Sequence, residues 1–269
     1  MISVSIILLF LALLYIGSLG GRTGHRGLKD LQGWSYAHRG LHGKGIPENS
    51  MAAFRAALDH GFGIEFDLHL LKDGNIAVIH DSLLKRTTGA EGRIEDLTTE
   101  DLKNYRLEGT EETIPTFREL LDLYAGKAPL IVELKPVNGN HAKLAETVCN
   151  MLQDYPGVYC IESFDPRCVA WLKKNRPQII RGQLTENFVK NKNDLPDHLK
   201  FLLTHNLLNF LSVPDFIAYK FRDRKDTILN NLCRNFWKVQ GVSWTLRNRE
   251  EYDTAVKEGW LPIFENFRP

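Results

Sequence analysis

Over residues 34–269 short apolar runs alternate with helix-like patterns, and eight principal strand candidates emerge. No glycine-rich dinucleotide fingerprint follows the first of them. These observations predict an α/β chain whose parallel strands close into a (β/α)₈ barrel of the TIM type, rather than an open doubly wound sheet. One N-terminal transmembrane helix is expected to precede it. The expected organisation is a membrane helix over 1–20, a flexible linker over 21–33 and a single catalytic barrel over 34–269.

The strand candidates are Ser35–His38, Ile64–Leu70, Leu130–Lys135, Val158–Ser163, Ile179–Leu184, Phe210–Val213, Val239–Thr245 and Leu261–Phe264. A ninth, Ile76–His80, follows the turn Lys72-Asp73-Gly74-Asn75, where Asp-Gly supplies the positive φ of a tight hairpin. It is therefore an antiparallel appendage. Helices fill the gaps. Asn49 or Ser50 can cap one that ends near His60 and Gly61. Thr98 caps another, Thr116 and Glu119 form a capping box, and Asp165-Pro166 opens a fourth.

Ile2 to Leu19 carries no charge and Ile6 to Ile16 is unbroken apolar sequence. That length just reaches what a bilayer crossing needs. A cleaved signal peptide would want a basic start, and Met1 to Ser5 has none. Arg22, Arg26 and Lys29 follow the apolar run, so the positive-inside rule places the domain on the cytoplasmic side. Gly20 to Gly33 is glycine-rich and polar, which suits a linker. The net charge of +1 on 269 residues excludes the basic footprint of a nucleic-acid binder. Cys149, Cys160, Cys168 and Cys233 show no paired or metal-like spacing.

Chemistry concentrates between Ala37 and Asp81. His38-Arg39 and His80-Asp81 bracket this stretch, and Glu65, Asp67 and His69 share one face of their strand while Ile64, Phe66 and Leu68 take the other. Glu133 and Lys135 likewise share a face. Buried carboxylates without partners are very costly, and a bound cation is the simplest remedy. Three carboxylates, Glu65, Asp67 and Glu133, and no cysteine suit Mg²⁺ or Ca²⁺, with zinc ranked third. Arg39 and Lys135 beside such a cation make an anion clamp that fits a phosphate. His38 and His80 can divide the proton work. Together these residues describe hydrolysis of a phosphate ester.

The motifs HRG (His38–Gly40), PENS (Pro47–Ser50), ExD (Glu65–Asp67), KDG then HD (His80–Asp81), RTTG (Arg86–Gly89), DLT, IPTF and VELK (Val132–Lys135) resemble those of the glycerophosphodiester phosphodiesterases. The match in order and spacing runs from Trp34 to Lys135, and more loosely through Glu162–Pro166 and Trp244. The resemblance implies a divalent metal on Glu65, Asp67 and Glu133, and an acid/base pair at His38 and His80. It also implies phosphate binding by Arg39 and Lys135, and cleavage of a glycerophosphodiester to glycerol 3-phosphate and an alcohol. Water or the neighbouring glycerol hydroxyl could be the nucleophile. Trp244 is expected as a pocket wall. Two positions depart from the family pattern: Arg247 stands where an asparagine is usual, and Phe264-Glu265 where Thr-Asp is usual. Neither belongs to the expected ligands or acid/base groups.

Simpler readings weigh against each of these. Isolated histidines are more often structural, and the carboxylates could be neutralised by Arg39 and Lys135 alone, although that sets three acids against two bases. His42, His60, His69, His141 and His205 receive no role, although His69 could lie near the cation. Phe216, Tyr219 and Phe221 could meet a bilayer or an acyl chain, but helix packing is the simpler expectation. The alternatives are a lysophospholipase D acting on membrane lysolipids and a non-catalytic binder of glycerophosphodiesters.

Overall fold

The computed structural model describes residues 2–269. In chain order the elements are α1 (Ile2–Ser18), α2 (Leu28–Leu31), β1 (Tyr36–His38), α3 (Met51–Asp59), β2 (Gly63–Leu70), β3 (Ile76–Val78) and α4 (Lys85–Thr88). There follow α5 (Phe117–Tyr124), β4 (Leu130–Leu134), α6 (His141–Met151), β5 (Tyr159–Ser163), α7 (Pro166–Asn175) and β6 (Arg181–Thr185). The chain ends with α8 (Asp197–Thr204), α9 (Asn209–Ser212), β7 (Phe216–Lys220), α10 (Ile228–Asn235), β8 (Gln240–Leu246), α11 (Arg249–Lys257) and β9 (Trp260–Phe264).

Eight strands pair in parallel in the order β1-β9-β8-β7-β6-β5-β4-β2, and β1 pairs again with β2 to close the barrel. β3 runs antiparallel on the outside of β2, as the Asp-Gly turn predicts. Strands buried on both faces read as continuous apolar runs, and two cores result. One lies between barrel and helices and contains Ile64, Phe66, Leu68, Val132 and Ile161. The other fills the barrel with Tyr36, Ile131, Cys160, Leu184, Phe216, Ala218, Val242, Leu261 and Ile263. All four cysteines are free and buried, as their spacing suggests.

The caps settle the one open choice and test two others. Ser50, not Asn49, caps α3, its hydroxyl accepting from the Ala53 amide at 3.1 Å. Thr116 and Glu119 form the predicted reciprocal box on α5. Thr98 instead precedes a short 3₁₀ turn over Asp101–Asn104, whose Asp101 carboxylate takes the Thr98 amide and hydroxyl at 2.8 and 2.7 Å.

Three expectations are corrected. The strand expected at Phe210–Val213 is the helical turn α9, and the true strand is Phe216–Lys220. A short apolar run has no period of its own to tell helix from strand, and here Pro214 separates the two elements. Phe216, Tyr219 and Phe221 are consequently buried, not displayed to a membrane.

The segment expected as a linker is packed. Leu28 and Leu31 enter the barrel core, the Tyr36 hydroxyl donates to Leu31 O at 2.7 Å, and the Arg22 guanidinium meets both Asp215 carboxylate oxygens at 2.5 and 2.6 Å.

Finally, among the described residues no helix is long and apolar enough to cross a membrane, so the expected transmembrane helix is not found. Met1, the first residue of that expected span, lies outside the described residues. α1 stops at Ser18 because the chain turns back there. Leu19 is fully buried beside Cys233, and its carbonyl receives the Asn209 amide at 3.2 Å and the Cys233 thiol at 3.0 Å. From Val4 to Leu14 the large apolar side chains of α1 are 54–61% exposed.

Candidate active site

Strand register alone assembles the acidic cluster. Paired residues on parallel neighbours point to the same side. His38 pairs with Glu65, Asp67 with Glu133, and Glu133 with Glu162. Asp67, Glu133 and Glu162 thus form one layer across β2, β4 and β5, with Glu65 and His38 beside it. All four carboxylates are buried. Ligand oxygens of Glu65, Asp67 and Glu133 lie within 4.8 Å of one another, a spacing that could hold one metal ion.

Arg39 and Lys135 interleave with these acids. Lys135 Nζ is 2.6 Å from Glu133 Oε1 and 3.1 Å from Asp67 Oδ1, and Arg39 Nε is 3.5 Å from Asp67 Oδ2. Asn49 Nδ2 donates to Asp67 Oδ2 at 2.9 Å. Two cations do not balance the cluster. Burial, reinforced by Asp67, Glu133 and Glu162, pushes Glu65 well above the ordinary carboxylate range. Glu133 rises to about 7, through burial opposed by Lys135, and Glu162 rises well above its usual value, through burial and Glu133. Asp67 goes the other way. Burial would raise it, but Lys135, His80 and Arg39 outweigh that and hold it ionised. A buried set of hard oxygen donors that resists full ionisation fits a divalent cation of the Mg²⁺ or Ca²⁺ type.

Both histidines line the same cavity. A pocket of about 120 Å³ is lined by His38, His80, Arg39, Lys135, Glu65, Glu133, Glu162, Phe164, Trp244 and Arg247, among others. It contains every predicted site residue except Asp67, which lies beneath it, bonded to Lys135. The larger hollow of about 470 Å³ near Gly40 and Arg268 lacks the carboxylate cluster and is not the centre of this chemistry. Burial lowers His38 to about 4, and burial likewise lowers His80. His80 Nδ1 is 2.5 Å from Asp81 Oδ1. Asp81 continues through Arg86 and Glu48 to Arg39, with Arg86 Nη2–Glu48 Oε1 at 2.6 Å and Arg39 Nη1–Glu48 Oε1 at 2.8 Å. One chain of charges therefore fixes both the second histidine and the first arginine.

Backbone geometry turns Arg39 inward. Arg39 and Gly40 both have positive φ, 54° and 79°. A Cβ on Gly40 would sit 2.8 Å from Ala53 Cβ, so glycine is required where α3 packs on this turn. His69 serves the site at one remove. Its Nε2 lies 3.1 Å from His80 O and its Nδ1 2.7 Å from Glu95 Oε1, which supports the His80 segment from below and leaves no ring nitrogen for a cation.

Sequence reasoning missed two residues. Glu162 occupies the same phase of its strand as Glu133, and that alternation with Ile161 was the available signal. Glu265 figures in the sequence only as a departure from the family pattern, yet its Oε1 is 3.1 Å from His38 Nδ1 and 3.3 Å from His42 Nε2. Its Oε2 accepts from Arg247 Nε at 2.9 Å. The two departures from the family pattern are thus bonded to each other and to His38.

A closed parallel barrel whose acids, bases and two histidines gather at one cavity has the layout of a TIM-barrel enzyme's active site. The chain belongs to the glycerophosphoryl diester phosphodiesterase family, whose model matches residues 38–267. It is 34% identical over 235 residues to a glycerophosphodiester phosphodiesterase of Caldanaerobacter subterraneus subsp. tengcongensis, covering 83% of this chain and 89% of the relative. A glycerophosphodiester phosphodiesterase of Bacillus altitudinis is 33% identical over 165 residues, 57% of this chain and 67% of that one. Among solved structures, an Oleispira antarctica phosphodiesterase in complex with the product sn-glycerol-3-phosphate superposes with a TM-score of 0.72 at 21% identity. That match covers 91% of this chain and 95% of the other, and it carries the fold.

Proposed function

We propose that the enzyme hydrolyses glycerophosphodiesters to glycerol 3-phosphate and an alcohol, with Mg²⁺ or Ca²⁺ held by Glu65, Asp67 and Glu133 and with His38 and His80 as the acid/base pair. The observation that carries this reading is the gathering at one small cavity of two imidazoles, two cations and a cluster of three buried carboxylates from β2 and β4, with Asp67 just outside the lining. Bound there, the cation would polarise the phosphoryl oxygens and offset the negative charge of the reacting group. Arg39 and Lys135 orient the phosphodiester through its non-bridging oxygens. His38, kept neutral by burial, is the group suited to take a proton from the nucleophile. His80, with Asp81 against its Nδ1, is oriented to hand a proton to the departing alkoxide, because the carboxylate favours the imidazolium that does so. Trp244 and Phe164, ring centres 5.5 Å apart, form the apolar wall.

Choline release from glycerophosphocholine by purified protein tests this directly. His38→Ala or His80→Ala is expected to abolish turnover with the melting temperature retained, and chelation to abolish it reversibly. Full activity in either variant, or indifference to chelation, would remove the corresponding part.

We further propose that α1 holds the enzyme against a membrane with the barrel on the cytoplasmic side. Its exposed apolar surface supports the contact, and the exposed basic Arg26 and Lys29 beyond it suit the anionic cytoplasmic leaflet. Sedimentation with membranes, followed by protease accessibility on each side, tests it. A freely soluble protein with α1 intact would end the idea.

A further inference from the structure

A second cluster of ligand-type side chains lies outside the carboxylate layer. His38, His42 and Glu265 each offer one donor atom, and these atoms all lie within 4.8 Å of one another. Glu265 Oε1 is 3.1 Å from His38 Nδ1 and 3.3 Å from His42 Nε2. Zinc bonds of about 2.0–2.1 Å to imidazole and carboxylate set tetrahedral donors about 3.3–3.4 Å apart. Two edges of such a site are therefore nearly in place. Hydrogen bonding accounts for the His38 contact but not for the other: His42 Nε2 is buried and has no hydrogen-bond partner of good geometry among the described residues.

The backbone holds all three in position. His38 ends β1, and the Glu265 amide donates to Leu246 O at 2.9 Å. His42 stands between Leu41, whose amide donates to Ala53 O at 3.0 Å, and Gly43, which exchanges two 2.9 Å bonds with Ile46. The three side chains are 11–16% exposed, sheltered but not sealed. His42 and Glu265 line the hollow of about 470 Å³, whereas His38 lines the catalytic pocket. An ion entering from the hollow can thus reach His38 without crossing the catalytic pocket, with a water as its fourth ligand. Arg247 holds the other Glu265 oxygen, Oε2, at 2.9 Å and leaves Oε1 as the single ligand. Two imidazoles and one carboxylate suit zinc, whereas Mg²⁺ and Ca²⁺ prefer oxygen alone.

We propose that His38, His42 and Glu265 bind Zn²⁺ and that this binding switches the enzyme off. The metal site stands by itself, while the loss of activity rests on His38 being the base of the phosphodiesterase reading. A neutral imidazole has one N–H and one lone pair. With its Nδ1–H on Glu265, His38 keeps the lone pair on Nε2, which faces the site 3.8 Å from Glu65 Oε2. Zinc takes the lone pair of Nδ1 instead. The ring's single proton then moves through solvent to Nε2, and that nitrogen can no longer accept one from the nucleophile. The ring gains and loses no net proton, and Glu265 exchanges a ring N–H for the metal.

The test titrates zinc into the full chain turning over glycerophosphocholine with Mg²⁺ or Ca²⁺ in excess. Metal binding is followed in parallel by zinc calorimetry and by the visible absorption of Co²⁺, intense in a tetrahedral site and weak among six oxygens. His42→Gln is expected to keep the basal kcat and melting temperature. It should raise the inhibiting zinc concentration by about tenfold or more, as loss of a ligand costs at least what loss of a ligand's support does. It should also weaken zinc binding and remove the cobalt band. Glu65→Gln, which disables the carboxylate cluster, should leave both binding signals in place. Equal inhibition of wild type and His42→Gln, or binding that is lost in Glu65→Gln instead, would put the zinc on the carboxylates and overturn the proposal. Zinc bound through His42 without inhibition would overturn the switch. An enzyme that never turns over glycerophosphocholine yet loses zinc binding in His42→Gln would sink the phosphodiesterase reading and leave the metal site standing.

Discussion

Removing the Glu265 carboxylate tests whether His38 works alone or as half of a pair. In the structure Glu265 Oε1 sits 3.1 Å from His38 Nδ1, which leaves Nε2 facing the site, 3.8 Å from Glu65 Oε2. Glu265 is itself held ionised. Burial opposes its charge, but contacts from His38, His42 and Arg247 depress it well below the usual carboxylate range. A hydrogen bond to a charged partner contributes about 1.5–3 kcal/mol. If that contact orients the ring in the transition state, Glu265→Ala should lower kcat about ten- to a hundredfold, with KM for glycerophosphocholine changed much less. Glu265→Asp should recover part of the loss, and a melting curve separates this from unfolding. Because Arg247 bonds the other oxygen, Arg247→Ala and Glu265→Ala should be non-additive in a double-mutant cycle. A Glu265→Ala enzyme with kcat within about twofold of wild type, given that a lost bond of this kind predicts at least tenfold, would show that the contact positions nothing.

Three further outcomes follow from other parts of the molecule. Glu133 has a folded pKa of about 7 against an unfolded value near 4.3, so the stability it lends as a protonated acid is full below the unfolded value. That stability is lost as pH rises through about 7. Added Mg²⁺ or Ca²⁺ should therefore raise the melting temperature more at pH 7.5 than at pH 5, by up to about 3 kcal/mol of stability, and equal increments would argue against a cation among these carboxylates. Leu31→Ala should cost about 2–5 kcal/mol because Leu31 is buried in the barrel floor, and an unchanged melt would mean that the segment before β1 is not structural. Gly40→Ala places a methyl 2.8 Å from Ala53 Cβ at φ 79°. It should destabilise by about 2 kcal/mol and lower turnover by moving the His38-Arg39 turn, whereas a fully active, equally stable variant would contradict that packing.

How much of this was legible beforehand depended on whether the signal was local. Glu65, Asp67 and Glu133 could be read because each alternates with apolar neighbours inside a short strand, so face and phase were fixed by two or three residues. The barrel was legible from the repetition of such strands. β7 was misplaced because Leu207, Leu208, Phe210, Leu211 and Val213 make the more apolar run, yet half of that surface lines a groove or lies exposed instead of entering the sheet. The packed segment before β1 was hidden by its glycines. Its two anchors, Leu28 and Leu31, are three apart and signal a single helical turn that composition overrides. Glu265 was illegible for a different reason. Its partner His38 is 227 residues away, and only barrel closure, the pairing of β1 with β9, brings the two ends of the chain together.

That closure also explains why the charges cannot be neutral by themselves. Four carboxylates, Glu65, Asp67, Glu133 and Glu162, converge from three neighbouring strands, and two cations, Arg39 and Lys135, reach them. Arg39 is moreover shared with Glu48. Either protons remain on the acids that burial and mutual repulsion push upward, or a divalent cation takes their place. The first state leaves Lys135 locked between Asp67 and Glu133. The second would free its ammonium, and the Arg39 guanidinium with it, for an anionic substrate. On the reading proposed above, the excess of acid that looks like a flaw in a folded core is what would draw a cation into the cavity and leave two basic side chains for an anion.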